Sequence, residues 1–220
     1  MRRVAAFAAA AAIWLGTVAP CFAQSVANGS FETPALSSNT FLYDPAGATW
    51  AFVANSGIIN APSAGFFGPA APDGNQYAIL QTAGNTGAFS QSIVFSLPGT
   101  YELSYLVAGR PDNGQGATGN LGYEVLLDSL VIGNDSTVTG QPFTLRSFDF
   151  VASPGSHTLT FEAVSNSGDN TAFFDLVAIR AVPEPTVTVF VLSSLFGFSC
   201  LRVMRRHRDC ERINNDSALT

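Results

Sequence analysis

A carboxylate inside an apolar strand is the first residue in this chain that chemistry has to explain. Asp175 lies in Phe173-Phe-Asp-Leu-Val-Ala-Ile179, a run apolar on both faces. Strand parity places it on one side with Phe173, Val177 and Ile179. A charge there costs on the order of several kcal/mol unless something pairs with it. Basic partners are scarce: between residues 24 and 182 the chain has Arg110, Arg146 and Arg180 and no lysine. On the residues alone, Asp175 is expected to bond to backbone amides or to Arg180.

Aromatic residues suggest a second kind of site. Trp50 is the only tryptophan between residues 24 and 182, and Tyr43, Phe66, Phe67 and Tyr77 stand near it in sequence among Gly, Ala, Pro and Asn. Sugar sites combine such ring faces with adjacent polar groups. The stretch Arg110-Pro-Asp-Asn-Gly-Gln-Gly-Ala-Thr-Gly-Asn120 offers polar groups, so Trp50, Tyr43, Arg110 and Asn113 are the candidate ligand-binding residues. The competing reading places Trp50 in the core and leaves the loop as a connection.

Signs of catalysis are few. His157, in Pro154-Gly-Ser-His-Thr-Leu-Thr160, is the only histidine of this region and reads as an exposed hairpin position. No Gly-x-Ser-x-Gly elbow occurs, so a Ser-His-Asp site lacks its usual local mark. Gly114-Gln-Gly116 has no helix to follow it and does not form a nucleotide loop. The chain is expected not to be an enzyme.

Composition narrows the partners. Residues 24–182 hold twelve Asp and Glu against three Arg, a balance near −9 when all carboxylates ionise. That excludes nucleic acid, whose phosphates need clustered basic side chains. The three cysteines, Cys21, Cys200 and Cys210, all lie outside this region. It therefore has no disulfide, thiolate metal site or cysteine nucleophile.

The elements that must position these residues are strands. Tyr101, Leu103, Tyr105 and Val107 alternate on one face, and Ile93, Phe95 and Leu97 precede them. Leu97-Pro98-Gly99-Thr100 reads as a type II turn between the two runs. Tyr123–Leu127 and Leu130–Ile132 flank Asp128-Ser129 as a tight hairpin. Residues 143–151, 158–164 and 171–179 continue the pattern. Six to nine short antiparallel strands with frequent turns predict an all-β fold, an antiparallel β-sandwich of jelly-roll type.

The two ends differ from this body. Arg2 and Arg3, the uncharged run Val4–Val18 and Cys21-Phe22-Ala23 have the three-part layout of a signal peptide, residues 1–23. Near the other end, Thr186–Leu201 carries no charge; as a helix it spans about 24 Å, against roughly 30 Å of bilayer hydrocarbon. Arg202 can snorkel, which extends the span to residue 204. Arg205, Arg206, His207 and Arg208 then favour the cytoplasmic side.

Pro183-Glu184-Pro185, the single apolar span and the basic anchor Arg202, Arg205, Arg206 and Arg208 together resemble a PEP-CTERM sorting signal. The resemblance implies processing near Pro183-Glu184-Pro185 by exosortase, a membrane-embedded cysteine transpeptidase of Gram-negative bacteria that secrete polysaccharide. The expected organisation is a signal peptide at 1–23, a β-sandwich domain at 24–181, a sorting signal at 182–208 with its transmembrane segment at 186–204, and a cytoplasmic tail at 209–220.

Asn28-Gly29-Ser30-Phe31-Glu32, the stretch Phe89–Tyr105 ending at Gly109-Arg110, and Asp169-Asn170-Thr171-Ala172-Phe173-Phe174-Asp175-Leu176-Val177 resemble the galactose-binding-like jelly roll of carbohydrate-binding modules. That likeness implies one structural Ca²⁺ held by an acidic residue near the start and one in the last strand, positions matched by Glu32 and Asp175.

The resulting expectation is an exported precursor anchored in the inner membrane, then moved to the cell surface or extracellular matrix of a Gram-negative-type bacterium. It would be non-catalytic and bind extracellular polysaccharide. The alternatives are a secreted glycan hydrolase on the same fold and a structural adhesin with no small ligand.

Overall fold

The computed structural model describes residues 23–24, 26–62, 65–164 and 168–183. The chain divides into two units, Met1–Val182 and Pro183–Thr220. Of the second, only Pro183 is described, so the rest of the sorting motif, the apolar span and its basic anchor lie outside the described residues. So does the expected signal peptide, apart from Ala23. Among the described residues no helix is long and apolar enough to cross a membrane.

Two sheets make up the first unit. The larger contains β1 (Ala23–Gln24), β2 (Phe41–Tyr43), β4 (Ser56–Asn60), β5 (Gln76–Thr82), β7 (Gly99–Gly109), β8 (Ala117–Thr118), β11 (Thr144–Ala152) and β13 (Asp169–Ala181). Its order is β11-β7-β13-β5-β4-β2, with β1 and β8 also on β13. The smaller runs β10 (Leu130–Ser136), β9 (Gly122–Leu127), β12 (Gly155–Ala163), β6 (Ala88–Phe95) and β3 (Ala51–Val53). Among the described residues the architecture is all-β, and every strand pair is antiparallel except β8 with β13, which is parallel.

Period-two alternation explains the core. Leu103, Tyr105, Val107, Ala172 and Phe174 from the larger sheet meet Phe89, Tyr123, Val125 and Phe161 from the smaller. Phe89 and Phe161 stack with centroids 4.9 Å apart, and Phe174 meets Tyr123 edge-on at 5.0 Å. The reverse face of the larger sheet carries a second apolar cluster, Ile59, Phe66, Tyr77, Ile79, Ala108 and Phe173. β5 is therefore buried along its whole length, its apolar centre Tyr77–Leu80 and its polar ends Gln76, Gln81 and Thr82 alike.

Several local expectations are corrected. Leu97 does not share the face of Ile93 and Phe95; it sits in the connection to β7 and is 60% exposed. Gly99 opens β7 without the positive φ that a type II turn demands at that position. The Asp128-Ser129 turn does form, with Leu130 opposite Leu127 and Asp128 at φ 56°. The parity expected of the last strand fails at a bulge. Register shifts between Asp175 and Ala178, and Leu176 takes φ 53°. Residues after the extra position change faces. Phe173 thus faces the second cluster, whereas Val177 and Ile179 face the main core with Phe174.

Candidate functional site

The bulge gives Asp175 its surroundings. The side chain is fully buried. Its Oδ1 accepts from the amide of Leu176 at 2.7 Å and its Oδ2 from the amide of Asp73 at 3.2 Å. Arg180, the alternative partner, instead pairs with Glu102 at 2.9 Å. Burial, outweighing those two amide bonds, pushes the Asp175 carboxyl up to about 7, with added repulsion from Asp73 and Glu32. Glu32 straps the same loop: its Oε1 accepts from the amides of Asn75 at 2.8 Å and Gln76 at 2.7 Å. The fit is close, since a Cβ on Gly74 would lie 2.3 Å from that oxygen. Among the described residues no group of three His, Cys, Asp or Glu side chains is arranged to hold a metal.

A different constellation lies on the outer face of the larger sheet, near the start of β13. Tyr43 on β2 donates its hydroxyl to Gln81 Oε1 on β5. Gln81 Nε2 donates to Asp169 Oδ1 on β13. Arg110, just past the end of β7, donates from Nη1 to both oxygens of Asp169, at 3.3 and 3.4 Å. Its Nη2 donates to the carbonyl of Gly65 at 2.8 Å, and the guanidinium lies 4.6 Å from the centroid of Phe66. Phe66 packs edge-on against Phe41 of β2, which meets Tyr43 in the same way. The Tyr43 phenol is raised above its usual range, first by burial and then by the Asp169 carboxylate, with Arg110 opposing. Arg110 Nε and Thr171 Oγ1 are buried without a protein partner. In this network Tyr43 remains partly exposed, and beside it so does Phe41; Phe67, the chain neighbour of Phe66, is exposed as well.

Strand order assembles this cluster. Residues 43, 81, 110 and 169 are remote in sequence, and three of them come from strands β2, β5 and β13 of one sheet. Of the four candidate ligand residues, Tyr43 and Arg110 enter the same network through Gln81 and Asp169. Asn113 serves its own turn, its Oδ1 accepting from the amide of Gln115 at 2.9 Å. Trp50 must be corrected. It is 2% exposed, packs on Phe31 at 5.3 Å and Phe89 at 5.5 Å, and donates Nε1–H to the carbonyl of Asn28 at 3.0 Å. An indole enclosed on its faces and satisfied at its nitrogen has no surface left for a ligand. Gln81, Asp169, Phe41 and Thr171 were missed in the sequence, because a Gln or Thr in a strand carries no mark of which side chains it will meet.

His157 is also less exposed than its hairpin position suggests, with 17% of its side chain accessible. Its Nδ1 lies 2.8 Å from Asp128 Oδ2, and its Nε2 lies 3.0 Å from the carbonyl of Ser153 and 3.4 Å from Ser153 Oγ. A Ser-His-Asp set is thus assembled across two turns. Its chemistry differs from that of a nucleophile's base. Nε2 faces a carbonyl oxygen and must carry a proton, so it cannot accept one from the serine. In the imidazolium form both nitrogens donate, and the arrangement is a clasp.

Fold and sites together define an all-β protein of two facing sheets, with a polar network on the outer face of the larger one. The chain belongs to the HpiC1-like family: residues 23–179 match that family's model, described as HpiC1 cyclase. No curated protein matches it. Similar solved structures include the K3 cleaved adhesin domain of Lys-gingipain from Porphyromonas gingivalis W83. It is 14% identical, covers 74% of this chain and 100% of its own, and has a TM-score of 0.47. The module TmCBM61, in complex with β-1,4-galactotriose, is 12% identical over 72% of this chain and 99% of its own, with a TM-score of 0.44. The carbohydrate-binding module CBM36, in complex with calcium and xylotriose, is 19% identical over 58% of this chain and 89% of its own, with a TM-score of 0.41.

Proposed function

We propose that this chain is an exported, exosortase-sorted surface or matrix protein that binds polysaccharide without catalysis, on the outer face of its larger sheet. The observation that carries the binding reading is the Tyr43–Gln81–Asp169–Arg110 network with the exposed rings of Tyr43 and Phe41 packed together beside it. Flat rings supply stacking area and the adjoining polar groups fix hydroxyl orientation. Sorting is carried by the sequence: Pro183-Glu184-Pro185 presents the cleavage point, the apolar span halts export and Arg202, Arg205, Arg206 and Arg208 hold the inner end. The membrane and exosortase are partners of the precursor.

Glu32 and Asp175 are the proposed holders of one structural Ca²⁺. Their chemistry fits a hard cation: both are oxygen donors, they brace one loop, and a buried Asp175 beside like charges gains from a positive neighbour. Glu32 and Asp175 would be its acidic ligands, and other oxygen donors would have to complete the shell. The cation would stabilise the ionised Asp175 and fasten the loop Asp73–Gln76.

A second reading follows from the family's description as a cyclase, which would require a reachable proton donor. Asp175 titrates in the useful range but is sealed from solvent, and Asp169 is accessible but committed to Arg110 and Gln81. That geometry favours positioning over proton transfer. Isothermal titration of the full-length chain in detergent against a panel of glycans tests the binding reading. Phe41→Ala and Tyr43→Ala should each weaken the interaction roughly tenfold, a loss of about 1.4 kcal/mol. Flat heats across the panel refute it.

A further inference from the structure

Hydrogen bonds in the Tyr43 network all run one way. Tyr43 donates to Gln81, Gln81 donates to Asp169, and Arg110 donates to both Asp169 oxygens. The donors are directed inward, and what remains for solvent is acceptor capacity. The Asp169 side chain is 43% exposed, and its Oδ2 has only the 3.4 Å contact with Arg110 from the network. A carboxylate oxygen accepts two hydrogen bonds, so this one has room for a donor from outside.

Arg110 is the reverse case. Its side chain is 6% exposed, its terminal nitrogens are engaged by Asp169 and Gly65, and its plane lies against Phe66. The positive charge is withheld from anything that approaches the face. The rest of the body offers no substitute. The chain has no lysine. Among the described residues the other two arginines stand in ion pairs, Arg146 with Asp135 and Arg180 with Glu102. A ligand carboxylate or sulfate reaching Asp169 would meet like charge, and the unpaired Nε–H of Arg110 is buried away from solvent. Juxtapositions of that kind discriminate strongly between partners.

We infer that the face selects glycans without negative charge, with Asp169 as the specificity-determining acceptor for a sugar hydroxyl or ammonium group. This rests on the binding reading given under Proposed function and adds the charge class of the ligand. Neutral sugars and amino sugars both supply the required donors; uronate and sulfated sugars do not offset their charge here.

The test measures binding of the full-length chain in detergent micelles to three oligosaccharides of matched length: galactose, glucosamine and galacturonate oligomers. The galacturonate series should bind at least roughly tenfold more weakly than the better of the other two. Raising the salt should leave the galactose series unchanged and weaken the glucosamine series, which tells hydroxyl recognition from ammonium recognition. Asp169→Asn, whose fold is checked by its melting temperature, should narrow the discrimination against galacturonate. Equal or tighter binding of galacturonate by the unaltered protein overturns the inference and leaves the binding reading intact. Absence of binding to all three removes the binding reading, and the inference with it.

Discussion

At the scale of single residues, environment decides what each acid does. Asp175 and Asp169 stand six positions apart on one strand, yet one is sealed beneath a loop and the other is open beside an arginine. Without metal, Asp175 has a folded-state pKa near 7 against about 3.9 unfolded. Its contribution to stability is fully present below the unfolded value and is lost as pH rises through about 7. Calcium stabilises the ionised form, so added Ca²⁺ should raise the melting temperature by several degrees at pH 8 and very little at pH 5. Scanning calorimetry with Ca²⁺ and with EDTA checks this, and equal curves at pH 8 count against the cation. His157 has the opposite dependence on its partner. Asp128 raises the imidazole, and the Thr158 amide followed by His157 depresses the Asp128 carboxyl. The imidazole's stabilisation is fully present below about pH 6.5 and fades as pH rises through the raised value. The carboxylate's is lost as pH falls through its own depressed value. His157→Gln should therefore lower the melting temperature most around pH 5 to 6, and the gap from the parent should close at alkaline pH. A gap independent of pH would mean that the residue acts by packing alone.

At the scale of elements, the bulge in β13 matters most. It lets one strand bury Phe174 and Val177 on one side while turning Phe173 and Asp175 to the other. The opening turn braces it: the Val177 amide donates to the carbonyl of Gly29 at 2.9 Å. A Cβ at Gly29 would lie 2.2 Å from the Val177 carbonyl oxygen, a clash with backbone that no rotamer relieves. Gly29→Ala should therefore cost about 2 to 3 kcal/mol, because β13 pairs with both β7 and β5 and cannot move alone. Chemical denaturation provides the measurement. A loss below about 0.5 kcal/mol would show that the turn and the bulge separate freely.

At the scale of the whole molecule, the acidic body between residues 24 and 182 is flanked by two ends of different composition. The described strands end at Ala181, and the Val182 amide still donates to the carbonyl of Thr100 at 2.9 Å. Cleavage near Pro183-Glu184-Pro185 would then leave the sheet hydrogen bonds whole. Mass spectrometry of protein recovered from cells should find a mature chain beginning at Gln24 and ending near Pro185. A chain recovered intact to Thr220 from a strain with active exosortase would refute sorting.

The sequence by itself determined the all-β class, the acidic and cysteine-free body, the alternation that makes Leu103, Tyr105 and Val107 core residues, and the oddity of Asp175. Those are properties of local pattern and of residue type, which neighbours along the chain are enough to reveal. Only the tertiary structure decided that Trp50 is core, that β13 reverses its faces at Leu176, and that Tyr43, Gln81, Arg110 and Asp169 form one network. Strand order in an antiparallel sheet joins residues dozens of positions apart, and a single inserted residue in a strand exchanges its faces. Neither leaves a periodic trace in the chain, so packing alone distinguishes an aromatic that fills the interior from one that meets a ligand.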